Sequence, residues 1–310
     1  MKKPVAKLRA RFDCLGLGII PLDVLFTVPF YPKSGQKIDA SSVIIQGGGP
    51  VPNALVGMTR LGLTCSVIAA VGNDLTGNLS IEELRRERVD TRHMIIKKEK
   101  SAIASGFIES DSGQRTIALY RRIEVKPRDL KTENFPIPQI VHLDGRDLEA
   151  GIKLAKWGKK VGALISFDVG SMRNDVSPIF PLVDHLVVAD AYALPFTSTS
   201  DAKGALAKLS QLCPGEVVIT EGIRGSLGFD RQAYYFQPAF RVRNVDTTGA
   251  GDSFHAGYLF GVLKGWSMPE RLRFGAATSA LKCTRPGART GAPRLTEVMR
   301  FLKGNLEIYA

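Results

Sequence analysis

The chain is poor in cysteine, with 4 among 310 residues (Cys14, Cys65, Cys213, Cys283) and no Cys-x-x-Cys spacing. That excludes a zinc ribbon and a disulfide framework, and it suits a reducing compartment, the cytoplasm. No apolar run reaches the roughly 18 residues of a spanning helix, so no membrane partner is expected. The stretch MKKPVAKLRARFD is basic but has no long apolar core or small-residue cleavage site, and it reads as a basic tail rather than a signal peptide. Dense Lys/Arg blocks with interleaved aromatics are absent. The net charge of +12 therefore points to anions such as phosphates or nucleotides, or to a solvated basic surface, rather than to nucleic acid. No Gly-x-x-x-x-Gly-Lys-[Ser/Thr] occurs, which excludes a P-loop. Pro21 stands where the third glycine of a dinucleotide fingerprint beginning at Gly16 would fall. Long linkers, internal repeats and low-complexity tracts are missing too. With 44% hydrophobic and 23% charged residues, the composition is that of an ordinary globular chain.

What is present is alternation. Phe12 to Ile20, Ser66 to Val71, Ile140 to Leu143, Ala163 to Phe167, His185 to Ala189 and Glu216 to Thr220 are short, nearly continuous apolar runs. Such runs predict parallel strands buried on both faces. Helical periods lie between them, over Thr76 to Glu87, Leu148 to Lys159 and Ala202 to Leu212. The order predicts a doubly wound α/β sheet. Residues about 22–46 and 100–124 break this rhythm. The first stretch carries strand-like pieces around a Tyr-Pro-Lys-Ser-Gly turn. The second reads as a hairpin, SAIASGFIES and QRTIALYRR around DSG. Together they predict a small antiparallel β lid on one 310-residue domain.

The chemistry concentrates in Asp246-Thr247-Thr248-Gly249-Ala250-Gly251-Asp252, which runs into an apolar helical pattern. A helix start leaves N–H groups unpaired and carries a positive partial charge. Gly249, Ala250 and Gly251 have almost no side chain, so an anion can reach those donors, as in a phosphate cradle. Asp252 is expected to open the helix, whose terminus favours the ionised carboxylate, and to accept a hydroxyl proton as a phosphoryl group is transferred. Gly257 and Gly261 would admit a second backbone, and Gly265 would end the helix.

This stretch resembles the C-terminal signature of the ribokinase (PfkB) family of carbohydrate kinases. Gly48-Gly49-Pro50-Val51-Pro52-Asn53-Ala54, followed by Leu61-Gly62, resembles the N-terminal signature, and Gly72-Asn73-Asp74-Leu75-Thr76-Gly77 a third family segment. Order and spacing agree from about Leu15 to Gly291. The resemblance implies a ribokinase-like fold and ATP-dependent transfer of the γ-phosphoryl group to a sugar hydroxyl, with Mg²⁺ and, in many members, a monovalent cation such as K⁺. It also implies a homodimer formed through the β lid. By position, Asp252 is implied as the base and Gly249, Ala250 and Gly251 as the anion hole. Asp23, taken as the end of the first strand, Gly48, Gly49 and Asn53 are implied to bind the sugar. Thr220, Gly222 and Gly225 resemble a nucleotide loop. Asp246, Thr248, Lys282, Arg285, Gly287 and Gly291 match a stretch that holds the monovalent cation, mostly through backbone carbonyls.

The family commonly carries Asn-x-x-Glu after its fifth or sixth strand. Here the stretch is Asp190-Ala191-Tyr192-Ala193. Asp190 can replace the Asn, but no Glu follows. Arg146, after the run His142-Leu143-Asp144-Gly145, has a planar fork suited to a carboxylate, phosphate, sulfonate or several hydroxyls. A similar strand-end Arg occurs in ketohexokinase-like and sulfofructose-kinase-like members. However, Gln36 and Leu119 stand where a lysine and an asparagine are expected for a sulfonated substrate. Lys37, Arg121 and Arg122 are lid cations that could meet an anionic sugar. The expected substrate is a small ketose-, ribose- or fructose-like carbohydrate or an anionic derivative. A nucleoside kinase of the same family and a non-catalytic sugar or nucleotide sensor remain alternatives.

Overall fold

The computed structural model describes residues 11–111, 113–171 and 174–305. Most of the basic tail, and Ser112 at the hairpin tip, lie outside the described residues. Strands β1 (Arg11–Leu17), β2 (Leu22–Val28) and β3 (Ser42–Gly47) lead to helix α1 (Pro50–Arg60). Next come β4 (Cys65–Ile68), β5 (Ala70–Gly72), α2 (Leu75–Arg86), β6 (Ile95–Lys97), β7 (Ile103–Glu109) and β8 (Arg115–Tyr120). The middle of the chain holds β9 (Ile137–Leu143), α3 (Leu148–Lys160), β10 (Leu164–Val169), β11 (His185–Ala189), α4 (Asp190–Thr197), α5 (Ala202–Leu212) and β12 (Glu216–Thr220). It closes with β13 (Ser226–Phe229), β14 (Tyr234–Gln237), α6 (Ala250–Leu263), α7 (Met268–Cys283) and α8 (Leu295–Gly304).

The main sheet has the order β14-β13-β12-β11-β10-β9-β1-β4. Every pairing from β4 across to β12 is parallel, and β13 and β14 add an antiparallel edge. The central strands β10, β11 and β12 are largely apolar and buried because helices cover both faces. One core packs Leu143, Leu154, Phe167 and Leu206 beneath α3 and α5. The other packs Val51, Val67, Phe254 and Leu272 beneath α1, α6 and α7. Side chains set the helix starts. The Asp201 carboxylate accepts the Gly204 N–H at 2.8 Å, the Asp74 carboxylate accepts that of Gly77 at 2.8 Å, and Ser267 with Glu270 forms a capping box. The predicted run Ser66 to Val71 is two strands, because the chain leaves β1 after Ile68 and β5 pairs with β6 in a separate ribbon.

The lid is a four-stranded sheet, β3-β2-β7-β8. β2–β3 and β7–β8 are antiparallel, as expected, while β2 and β7 at its centre run parallel. Asp23 does not end the first strand. It is the second residue of β2, between Gln46 and Ala104, so it belongs to the lid. β9, β10, β11 and β12 run parallel, so their carboxyl ends share one edge of the sheet, the edge where open parallel sheets bind ligands.

Candidate active site

Helix α6 begins at Ala250, with Gly249 as its N-cap at φ 76°. Asp252 is therefore the third helical residue rather than the first. Gly249 needs both its left-handed backbone and its missing side chain, because a Cβ there would lie 2.6 Å from the Ala288 Cβ. Of the three amides expected to cradle an anion, that of Ala250 turns back to the Thr247 carbonyl at 3.1 Å. Among the described residues, the N–H groups of Gly249, Gly251 and Asp252 have no protein acceptor. Nothing would touch a Cβ at Gly251, so the space over these donors is open. Deeper in, Gly257 admits α7, since a Cβ would come within 2.9 Å of the Gly275 Cα.

Asp252 is half-buried, and its Oδ2 accepts a hydrogen bond from Asn53 Nδ2 at 2.7 Å. Burial, then the nearby Asp168 charge, pushes its pKa up to about 7, against the pull of Asn53, His255 and Arg115. The expected dominance of the helix terminus is thus outweighed. Asp168 is itself buried. Burial raises its pKa, but His255, whose Nε2 lies 3.2 Å away, with His142 and Arg146, outweighs this and holds it low. His142 packs against His255, with ring centroids 5.3 Å apart, and burial drives its pKa to about 3.

Asn53 lies in the first turn of α1, and its carbonyl oxygen accepts from Arg289 Nε at 3.0 Å. Arg289 is 1% exposed. It also donates to the Gly48 carbonyl at 2.8 Å and pairs with Glu83 at 3.2 Å. Gly48 has no side chain because the Asp23 carboxylate occupies the place a Cβ would take, and Gly49, at φ 96°, faces the Ile19 carbonyl in the same way. Burial raises the Asp23 pKa to about 6, against the attraction of Arg289 and Arg115. Sequence reading missed Arg289, Arg115 and the pair Asp168–His255. The only available signal was an arginine inside the small-residue stretch Gly287 to Gly291.

Arg146 follows β9 across Gly145, and its N–H donates to Asp144 at 3.0 Å. Its charge lies close enough to lower both Asp144 and Asp168. Asp144 also accepts the Ile19 N–H at 3.0 Å, and burial raises its pKa to about 7. Of the expected lid cations, Arg121 is committed to the Asp147 carboxylate and the Arg146 carbonyl. Lys37 is exposed. Arg115, at the start of β8, is instead the lid cation whose charge reaches Asp23 and Asp252.

The expected nucleotide loop lies farther along the same sheet edge. Thr220 ends β12, Gly222 (φ 58°) and Gly225 (φ 119°) shape the turn, and Glu221 N–H donates to the Gly225 carbonyl at 2.8 Å. Asp190 starts α4 and pairs with Arg224 of this loop at 2.8 Å, so the two segments are brought together. Ile223 at the tip is 96% exposed.

The six residues matched to a monovalent-cation site also meet, with a difference. Asp246 Oδ1 and Oδ2 accept the Thr248 and Gly287 N–H groups, each at 2.7 Å. The Lys282 carbonyl accepts the Arg285 N–H at 3.1 Å. The fully buried Lys282 ammonium enters the loop, 2.5 Å from the Asp246 carbonyl and 3.3 Å from that of Arg285. These residues do not fit a free K⁺, because a covalently attached cation already faces the carbonyls.

Residues 14–295 match the family model described as pfkB family carbohydrate kinase. Ribokinase of Haemophilus influenzae is 26% identical over 93% of this chain and 97% of its own. Mouse ketohexokinase is 26% identical over 88% of this chain and 96% of its own. The solved structure of Arabidopsis thaliana ribokinase complexed with ribose and ATP superposes with a TM-score of 0.79 at 25% identity, covering 94% of this chain and 99% of that one.

Proposed function

The chain belongs to the pfkB family of carbohydrate kinases, phosphotransferases that act on sugar hydroxyls, and from that premise we propose its chemistry. It transfers the γ-phosphoryl group of ATP to a hydroxyl of a small ketose-, ribose- or fructose-like carbohydrate or an anionic derivative. One observation carries the reading: Asp252, positioned by Asn53 at 2.7 Å, stands beside amide donors with no protein acceptor. A carboxylate with a pKa of about 7 ionises near neutral pH and still has driving force to take a proton. In the proposed step Asp252 accepts the proton of the sugar hydroxyl while the new O–P bond forms. The bond to the β-phosphate oxygen breaks and ADP leaves. The N–H groups of Gly249, Gly251 and Asp252 receive the oxygens of the transferring group.

Asp23 accepts sugar hydroxyls, and Gly48 and Gly49 allow the sugar to approach the backbone. Arg146 and Arg115 border this pocket and favour an acidic or hydroxyl-rich substrate. Thr220, Gly222 and Gly225 border the nucleotide, with Ile223 offering apolar surface to its base. Asp190, half-exposed at the start of α4, is the residue that would hold Mg²⁺ once its exposed pair with Arg224 gives way, because this ion is commonly held by one or two carboxylates plus phosphates and water. The ion would neutralise phosphate charge when bound. Ala193 supplies no second carboxylate, so the nucleotide phosphates would carry more of the coordination.

A coupled ADP-release screen against ketoses, aldoses, phosphosugars and nucleosides tests the reading. Sugar-dependent ADP release is expected, whereas release with nucleosides alone would replace the sugar with a nucleoside. Dimerisation through the lid is part of the proposal. Val43, Ile45, Ile103 and Tyr120 lie on one exposed lid face together with half-buried Phe26 and Phe107, an apolar surface suited to a second copy. Ile45→Lys should halve the mass measured by sedimentation, and a monomeric parent would refute it.

A further inference from the structure

We infer that Lys282 is the resident cation of the loop behind the anion cradle, so that this kinase needs no free monovalent cation. This inference rests on the proposed kinase reading for its activity arm alone.

Lys282 sits in the last turn of α7 with a side chain 0% exposed. A lysine is almost never fully buried unless its charge is met, and here oxygens meet it. The Asp246 carbonyl lies 2.5 Å from Nζ, the Arg285 carbonyl 3.3 Å and the Asp246 carboxylate 3.8 Å. Gly291 closes the loop over the stem, where a Cβ would come 3.2 Å from Lys282 Cε and 2.7 Å from the Gly287 carbonyl oxygen. Burial pulls the Lys282 pKa down, and Asp246 leads the groups that oppose it.

The charge stands where it can hold the cradle. Asp246, which meets the ammonium through its carbonyl, spends both carboxylate oxygens on Thr248 and Gly287. Thr248 leads directly into Gly249, and Ala288, next to Gly287, packs against Gly249. One ammonium therefore joins two loops that together fix the backbone whose amides face the open space. A diffusing ion in this place would have to bind and pay for its own localisation, while a tethered one is present at every moment. A second cation cannot enter beside it, because like charges a few ångströms apart repel strongly in a buried site. The loop carbonyls alone suggest a site for a free cation; the side chain among them reverses that expectation.

Two measurements test the inference, and one of them needs no turnover. The melting temperature of the purified protein, read in K⁺, Na⁺, Cs⁺ or tetramethylammonium chloride at matched ionic strength, should be the same in all four. A melting temperature raised by K⁺ alone would overturn the inference through the binding linkage it reveals. The second reads sugar-dependent ADP release in the same salts. Wild-type turnover should vary by less than about twofold, while Lys282→Ala in tetramethylammonium should lose at least about tenfold, as displacement of a catalytic backbone does. K⁺ or ammonium ion should restore that variant, and its melting temperature should rise with them. Activation of the wild type by K⁺, or a Lys282→Ala variant fully active in every salt, would overturn the inference. If Lys282→Ala fails to fold, Lys282→Met carries the same arms, and the wild-type salt series decides without any variant. A protein that melts identically in all salts yet releases no ADP with any sugar would sink the kinase reading and leave Lys282 in place.

Discussion

The two ends of the cleft are built in opposite ways. At one end, Asp23, Gly48, Asn53 and Arg289 form a buried chain of contacts that runs from the lid to the half-buried Asp252 at the helix start, with Arg289 only 1% exposed. At the other, the loop from Thr220 to Gly225 is held by ion pairs to an Arg224 side chain that is 60% exposed, and it ends in the bare Ile223. Buried, fully partnered polar groups fix a geometry, and exposed pairs add little. The contrast teaches that positioning is concentrated where the proton and phosphoryl group are proposed to move, while the end proposed for the nucleotide is held more loosely.

Breaking the tight end at its centre should have the largest effect. Asp252→Asn should cut turnover by about 10²- to 10⁴-fold, the usual worth of a positioned base, and near-normal turnover in steady-state assays would refute the assignment. Wild-type turnover should rise through about pH 7 as Asp252 ionises, a step the variant lacks. The folded-state pKa of Asp252 lies above its ordinary value, so its contribution to stability is present at low pH and is lost as pH rises through about 7. Asp252→Asn should therefore melt higher than wild type at alkaline pH, and the difference should vanish in acid.

Next in size, Arg289→Met should cost about 3 kcal/mol in denaturant unfolding, because breaking a buried ion pair strands its partners. It should also raise the sugar KM by releasing Asn53 and Gly48, and unchanged stability would show that the buried network positions nothing. Arg146→Ala should lower kcat/KM for an anionic sugar about tenfold more than for a neutral one, as expected when one charge-assisted contact is lost; equal losses would make Arg146 structural. At the loose end, Arg224→Ala should change the ATP KM by less than about threefold and leave the melting temperature unmoved, as exposed pairs do. A large effect there would erase the contrast between the two ends.

Much of this was legible in the sequence wherever the physics is local. Helix Ala202–Leu212 and strands His185–Ala189 and Glu216–Thr220 have the predicted bounds, because helical periods and short apolar runs are read from neighbours in the chain. The two glycine-rich signatures singled out Asp252 and Asn53 separately, and the structure brings their side chains together at 2.7 Å. Three features were not legible. Ser66 to Val71 is uniformly apolar, so the change of sheet after Ile68 leaves no trace. Asp23 was assigned to the wrong strand, since β1 and β2 are separated by a short turn and belong to different sheets. Arg289 and Lys282 are long cations in a loop-rich stretch, whose default place is the surface. The burial of Arg289 is set by Asn53 and Glu83, more than 200 positions away in the chain, and that of Lys282 by the Asp246 and Arg285 carbonyls of loops that only the fold brings around it.

Asp23, Asp144 and Asp252, carboxyls raised by burial, carry a consequence for how ligands are taken up. Asp23, Asp144 and Asp252 have pKa values of about 6, 7 and 7, so the free protein stores protons around neutrality. Hydroxyl groups that donate to Asp23 and Asp252 would favour their ionised forms and expel that store. On the proposed reading, uptake of the sugar would be coupled to proton release, and binding even of an uncharged molecule would become sensitive to the acidity of the surroundings.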